Sequence, residues 1–194
     1  MRVFIEGIGL VGPGLENWPA ARAVLAGAAA YEPAPVRLQS VTLLPPAERR
    51  RSGMTVKLAI ATGVEALAQA GRDAIDMPMV FAASGGDGDT LHETLATLAT
   101  EQREVSPTKF HNSVHNAPSG YWAVATGSRV PSVSLSAFDA SFSAGLLEAA
   151  VQATVPRMPD PSGVASKPAP PRPSLPSGGW LATVRDRARR RQSG

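Results

Sequence analysis

The sequence predicts an α/β protein whose strands and helices pack in layers. Three short apolar runs, at residues 2–11, 78–83 and 132–137, read as buried strands, and helical patterns lie between them. Strands that alternate with helices and are buried on both faces favour a mainly parallel sheet. With 194 residues and 43% hydrophobic content, the chain has the size and composition of one medium domain with a real core.

The first half of the chain carries the clearest helix signal. Residues 2–11 predict a strand, and Asn17 is a favourable cap for a short helix over residues 18–26. A longer helix is predicted over residues 54–70, where Gly71 suits the position just beyond the last turn. Its apolar positions recur at helical spacing at Val56, Ile60, Val64 and Leu67.

The second half repeats the strand-helix alternation. A Gly-rich loop, Ser84–Asp89, follows the second strand, and the next helix places a stripe of leucines (Leu91, Leu95 and Leu98) on one face. Ser106-Pro107 predicts the start of a further helix, with Ser as the cap and Pro in the first position. The third strand is followed by a helix over residues 140–154.

Charge and composition separate a body, residues 1–155, from a tail, residues 156–194. The tail has eight basic and two acidic residues, a net charge of +6, whereas eleven basic and fourteen acidic residues give the body −3. Residues 156–176 contain eight prolines. We expect this Pro/Arg-rich tail to be disordered, because it buries too little apolar surface to offset its ordering entropy. We hypothesise that it is a frameshift product, with a native disordered linker as the alternative.

Composition argues against several functional classes. The chain has no Cys, which excludes disulfides and thiolate metal sites. No apolar run approaches the roughly 18 residues of a membrane span, so we expect no membrane partner. The basic run Arg49–Arg51 and the tail arginines lack interleaved aromatics or a nucleic-acid motif, so we expect no nucleic-acid partner. The predicted location is cytoplasmic.

The segment Val133–Gly145 carries the most specific local pattern. It predicts a strand that enters a helix through a sharp turn, a geometry that exposes one residue at the sheet edge beside unpaired helix amides. Such a turn would lower the pKa of a thiol and activate it for acyl transfer. Asp139 occupies the turn instead. From local sequence alone, an ordinary helix cap explains an Asp there better than a modified acyl site does.

Two longer segments carry a family resemblance. Residues 106–128 (SPTKFHNSVHNAPSGYWAVATGS) and 131–148 (PSVSLSAFDASFSAGLLE) resemble the N-terminal half of β-ketoacyl synthases. The chain is most similar to short synthase-like proteins found beside aryl-polyene, polyketide or fatty-acid genes, which resemble chain-length factors. The resemblance covers residues 1–155. It implies a thiolase-like layered fold of which only the N-terminal half is present.

The resemblance also implies roles for particular residues. Asp139 falls at the position of the nucleophilic Cys, to within about one residue, and nothing after residue 155 matches the half that supplies the family's two catalytic His. The resemblance therefore implies a non-catalytic subunit without a cofactor, paired with an active ketosynthase and served by acyl carrier protein. Large apolar residues are candidates for an acyl tunnel or an interface: Phe138, Phe142, Tyr121 and Trp122.

Three other interpretations remain open. A self-sufficient acyltransferase or hydrolase would use Ser136 or Ser141 with His115 as base, although the Gly-x-Ser-x-Gly elbow is missing. His111 and His115 are four residues apart, which would place two metal ligands on one helix face, but no third ligand follows and no metal site is expected. The chain could also be a truncated, non-functional gene product.

Overall fold

The structure is a computed structural model that describes residues 2–38 and 42–155, together with the backbone of Val184–Arg185. The helices and strands follow in the order β1 (Phe4–Ile5), α1 (Trp18–Leu25), α2 (Pro46–Arg51), α3 (Met54–Ala70), β2 (Met79–Ala82), α4 (Gly88–Leu98), α5 (Pro107–Asn112), α6 (Ala117–Thr126), β3 (Ser132–Leu135), α7 (Ser141–Thr154) and β4 (Val184–Arg185). One short 3-10 turn, Phe138–Ala140, joins β3 to α7.

Helix α3 forms the centre of the core, as its periodicity predicted. The four apolar positions at helical spacing are all buried, and Gly71 ends the helix with φ +61°. Helix α6 packs against α3 and contributes the largest buried side chain, that of Trp122. The ring of Phe81 from β2 meets the Trp122 ring edge-on, with 6.3 Å between the centroids. The core therefore joins one strand to two helices.

The parallel pairing predicted for the strands is present between β2 and β3. Met79 lies opposite Ser132, and the register continues to Ala82 opposite Leu135. Helix α7 packs on this pair at Gly145, where an added Cβ would lie 2.7 Å from the Cβ of Ala82. This close approach brings the start of α7 to the end of β2.

The strand predicted over residues 2–11 is wrong over most of its length. Only Phe4–Ile5 is a strand, and it pairs antiparallel with Val184–Arg185 rather than with the parallel pair. The reason is that α3 side chains take the backbone donors that follow. The Ile8 N–H donates to Gln69 Oε1 at 2.9 Å, and Gly7 approaches the carbonyl oxygen of Ala66 so closely that a Cβ would not fit.

A bidentate ion pair at Glu6 also holds this N-terminal segment in place. The Arg72 guanidinium donates to both carboxylate oxygens of Glu6, at 2.9 and 3.0 Å. On the far side, Asn17 caps α1 as predicted, since its Oδ1 accepts from the Ala20 N–H at 3.0 Å. The N-terminal segment is therefore tied along α3 by side chains.

The helix predicted to begin at Ser106-Pro107 is shorter than the spacing of its histidines requires. Helix α5 ends at Asn112, and a separate helix, α6, begins at Ala117. His115 lies between the two, so the prediction that His111 and His115 share one helix face is wrong. The break coincides with Asn116-Ala117-Pro118, where the proline occupies the first turn of α6.

The expectation that the tail is disordered, and the frameshift hypothesis, concern residues 156–194. These lie outside the described residues except for the backbone of Val184–Arg185, which pairs with β1.

Candidate functional site

The turn between β3 and α7 has the sharp geometry that its sequence predicted. Phe138 adopts φ +49°, a left-handed conformation that costs an L residue about 1–2 kcal/mol. The Ser141 hydroxyl fixes the turn: it donates to the Phe138 carbonyl at 2.6 Å and accepts from the Ala137 N–H at 2.9 Å. The strained residue and Asp139 are thereby presented together at the end of β3.

An open cleft of about 750 Å³ lies beside this turn. Its walls come from the ends of β2 and β3, from the start of α7 and from the Gly-rich loop after β2. The residues that line it are Gly9, Thr62, Val80, Ala82, Ala83, Ser84, Gly85, Gly86, Phe138, Asp139, Ser141, Phe142, Gly145 and Leu146. The Gly-rich loop, which carried no motif of its own, is thus one wall of the cleft.

The four aromatic residues predicted for a tunnel or interface separate into two pairs. Phe138 and Phe142 line the cleft and are 86% and 78% exposed. Tyr121 and Trp122 belong to the core, where they are 5% and 2% exposed, and neither lines the cleft. A tunnel or interface role remains a prediction for all four residues, and in this structure the Tyr–Trp pair packs in the core.

Tyr121 lies in a polar corner of that core. Burial, followed by the nearby negative charge of Glu48, raises the pKa of its hydroxyl. The His111 ring meets the Tyr121 ring edge-on at 6.1 Å. The neighbouring Asn112 donates from Nδ2 to the Arg51 carbonyl at 2.5 Å and so ties α5 to the end of α2.

Asp139 is exposed at the cleft, and no thiol accompanies it because the chain has no Cys. The strained residue of the turn is Phe138, one position earlier, which lies within the one-residue range of the predicted alignment. The chemistry at the turn is the same whether Phe138 or Asp139 is aligned with the nucleophilic Cys of the family. Neither a phenyl ring nor a carboxylate replaces a thiolate as the nucleophile toward a thioester.

The residues proposed for a serine hydrolase are not assembled. Ser141 lines the cleft, but its hydroxyl is buried and engaged in the turn on both sides. No His is among the residues that line the cleft, so His115 does not provide a base there. Ser136 is likewise outside the lining. Within residues 2–38 and 42–155, no three His, Asp or Glu side chains cluster closely enough to hold a metal ion.

Glu65 is a polar residue that the sequence reading did not single out. It lies on α3, and its Oε1 accepts from the Trp18 N–H at 3.3 Å. Burial raises the pKa of Glu65 to about 7, although backbone hydrogen bonds from Trp18 and Leu10 oppose the shift. A carboxylate between Val64 and Ala66 on a helix with a buried apolar face was the available signal. Glu65 is not part of the cleft lining.

A second acidic group lies in an exposed ion pair. Lys109 of α5 contacts Glu93 of α4 at 2.5 Å, and this hydrogen bond and the lysine charge lower the pKa of Glu93.

The leucine stripe of α4 is largely exposed. Its members, Leu91, Leu95 and Leu98, are 49%, 57% and 45% exposed. In the part of the chain that the structure describes, no helix is both long and apolar enough to cross a membrane.

Comparisons with known proteins place this geometry in context. The sequence profile of the β-ketoacyl synthase N-terminal domain matches residues 16–155. No curated protein matches the chain. One similar structure is a chain of the complex between a ketosynthase (ApeO) and its chain length factor (ApeC) from Xenorhabdus doucetiae. It is 28% identical, with a TM-score of 0.62 over 78% of this chain and 62% of that chain.

A second similar structure supports the fold alone. It is a β-ketoacyl synthase from Burkholderia phymatum STM815, 18% identical, with a TM-score of 0.58 over 76% of this chain and 42% of that chain. The chain therefore spans less than two thirds of the length of either solved structure. The predicted thiolase-like layered fold is confirmed, and the family profile of the N-terminal domain covers residues 16–155.

Proposed function

The chain belongs to the β-ketoacyl synthase N-terminal domain family, and from that premise we propose that it is a non-catalytic, chain-length-factor-like subunit. It supports acyl-chain elongation beside an active ketosynthase, in cytoplasmic biosynthesis of the fatty-acid or polyketide type, including that of aryl polyenes. Acyl carrier protein delivers the growing acyl chain to this subunit and its ketosynthase partner. One observation carries the proposal: the sharp turn between β3 and α7 and the cleft beside it are formed, but the sequence contains no thiol.

The chemistry at the turn supports binding without covalent catalysis. Acyl transfer through a carboxylate would convert a thioester into an acid anhydride, a more reactive species, so Asp139 has no favourable product to form. The Ser141 hydroxyl, which lies in the same turn, already donates to the Phe138 carbonyl. We therefore expect an acyl chain that enters the cleft to be held by contacts with the cleft walls and to leave unreacted.

An exposed apolar face on α7 supports association with a partner. Leu146, Leu147 and Val151 are 39%, 64% and 42% exposed, and with Phe142 they cover positions four and five residues apart along the helix. Exposed apolar surface of this kind marks a protein contact when it is contiguous. The similar ketosynthase is itself in complex with its chain length factor. We propose an analogous pair here, with α7 at the contact.

Co-expression with a candidate ketosynthase partner from the same genome tests the proposal. A tag on this chain should recover the ketosynthase in a fixed ratio. Leu147→Asp, which places a charge on the α7 face, should reduce recovery at least tenfold. Leu25→Asp is the matched control, because Leu25 is 66% exposed on α1 and Leu147 is 64% exposed. Failure of the wild-type chain to recover any ketosynthase contradicts the proposal, and equal loss with both variants contradicts the assignment to α7.

A further inference from the structure

The described part of the cleft lining carries negative charge and no positive charge. Of the wall residues within 2–38 and 42–155, Asp139 alone carries a charge, and no Lys, Arg or His is among them. The remaining wall is apolar, glycine or hydroxyl-bearing. From this part of the chain, an anionic ligand would therefore meet a carboxylate and no side-chain cation.

The helix that begins at the cleft would otherwise favour an anion. Helix α7 runs from Ser141 for 14 residues, and no side chain caps its first amides by a hydrogen bond. Unpaired amides and the helix dipole attract negative charge at such an end. Asp139 lies two residues before the helix and already supplies that negative charge. A second anion would gain little from the dipole and would be repelled by the carboxylate.

Two exposed rings define the apolar part of the same space. Phe138 and Phe142 are four residues apart on either side of Asp139 along the chain, and both line the cleft. Their exposed faces offer contact area to an acyl chain, whereas the small residues Gly85, Gly86 and Ala83 leave the opposite wall open. The combination suits an apolar chain whose polar end carries no negative charge.

We propose that Asp139 makes this cleft selective for uncharged acyl derivatives, such as thioesters, esters and amides, over free carboxylates of the same chain length. The inference rests on the proposed function, because it takes the cleft to be the acyl site. In a biosynthetic setting the selection excludes released fatty acids and admits carrier-bound intermediates. Asp139 then has a role in ligand choice at a position where it cannot act as the nucleophile.

The expected effect is modest because Asp139 is exposed. Two unit charges about 6 Å apart in a water-like dielectric give roughly a threefold difference in affinity. The difference should shrink in high salt, since the screening length falls from about 10 Å at 0.1 M to about 3 Å at 1 M. A selectivity that survives 1 M salt unchanged would come from shape rather than from charge.

Calorimetric titration of the full chain with decanamide and with decanoate tests the inference. At low ionic strength and pH 7.5, decanamide should bind about threefold more tightly than decanoate. Asp139→Asn should abolish the difference by strengthening decanoate binding. Asp89→Asn is the matched control, because Asp89 is an exposed carboxylate on α4 outside the cleft. It should leave the difference unchanged.

A third variant locates the binding. Phe142→Ala should weaken both ligands by similar factors if they occupy the cleft, and an unchanged affinity would overturn the inference. Equal affinities of the wild-type chain for the two ligands would overturn it, and so would a difference that persists in Asp139→Asn. If neither ligand binds, the cleft is not an acyl site and the inference fails. Ketosynthase co-purification decides the proposed function separately.

Discussion

The contact between α7 and β2 gives the most quantitative prediction. In Gly145→Ala, the new Cβ would lie 2.7 Å from the Cβ of Ala82, whereas carbon atoms pack at about 3.5–4.0 Å. Helix and strand must therefore separate by roughly 1 Å. Overpacking of this kind costs about 1–3 kcal/mol, and replacing a helical Gly with Ala returns about 0.5–1 kcal/mol. We expect a net loss of about 1–2 kcal/mol in the free energy of unfolding.

Urea denaturation followed by far-UV circular dichroism measures this loss, and a double-mutant cycle isolates its cause. Ala82→Gly removes the opposing methyl, so Gly145→Ala should cost less in that background, with a coupling energy of about 1–2 kcal/mol. Gly120→Ala is the matched control, because nothing lies within 4 Å of an added Cβ at that position in α6. It should stabilise the chain by about 0.5 kcal/mol. A stabilised Gly145→Ala, or a coupling energy of zero, would refute the packing argument.

Three further substitutions test other parts of the fold. Burial raises the pKa of Glu65 to about 7 in the folded chain, so the folded state binds this proton more tightly than the unfolded state. The free energy of unfolding should therefore fall by about 1 kcal/mol between pH 4.5 and 7, after allowance for solvent screening, and then level off. Glu65→Gln should remove that slope in denaturation curves, and an unchanged slope would show that other groups cause it. Phe138→Gly should raise the free energy of unfolding by about 0.5–1 kcal/mol, because glycine adopts φ +49° without steric strain. The Phe138 side chain that is removed is 86% exposed. A lower urea midpoint would contradict this prediction. Asn17→Ala should lower the thermal midpoint through loss of about 1 kcal/mol, because the cap on the Ala20 N–H disappears. An unchanged midpoint would mean that α1 does not depend on its cap.

Local patterns predicted the elements whose residues all favour one state. Helix α3 begins and ends where its apolar spacing and Gly71 indicated, because periodicity, burial and the C-terminal glycine act together there. The turn before α7 was predicted for the same reason. Small residues on both sides of Phe138 and Asp139 leave room for a helix that starts directly after a strand, and Gly145 permits its close approach to β2.

Long-range competition explains what the sequence did not reveal. Residues 2–11 have the pattern of a strand, but Gln69 takes the Ile8 amide and Arg72 takes the Glu6 carboxylate, from positions more than 60 residues away. The separation of the four aromatics depends on the same kind of information. Nothing local distinguishes the buried Trp122 from the exposed Phe142, because each is an apolar residue in a helix of small neighbours.

A non-catalytic subunit should offer an acyl site without forming an acyl intermediate. Intact-mass spectrometry of the co-purified pair, after incubation with an acyl thioester of acyl carrier protein, tests it most directly. We expect the mass of the ketosynthase to increase by one acyl group, whereas the mass of this chain should not change. An acyl adduct on this chain, at Asp139 or at any Ser, would rule out the non-catalytic role.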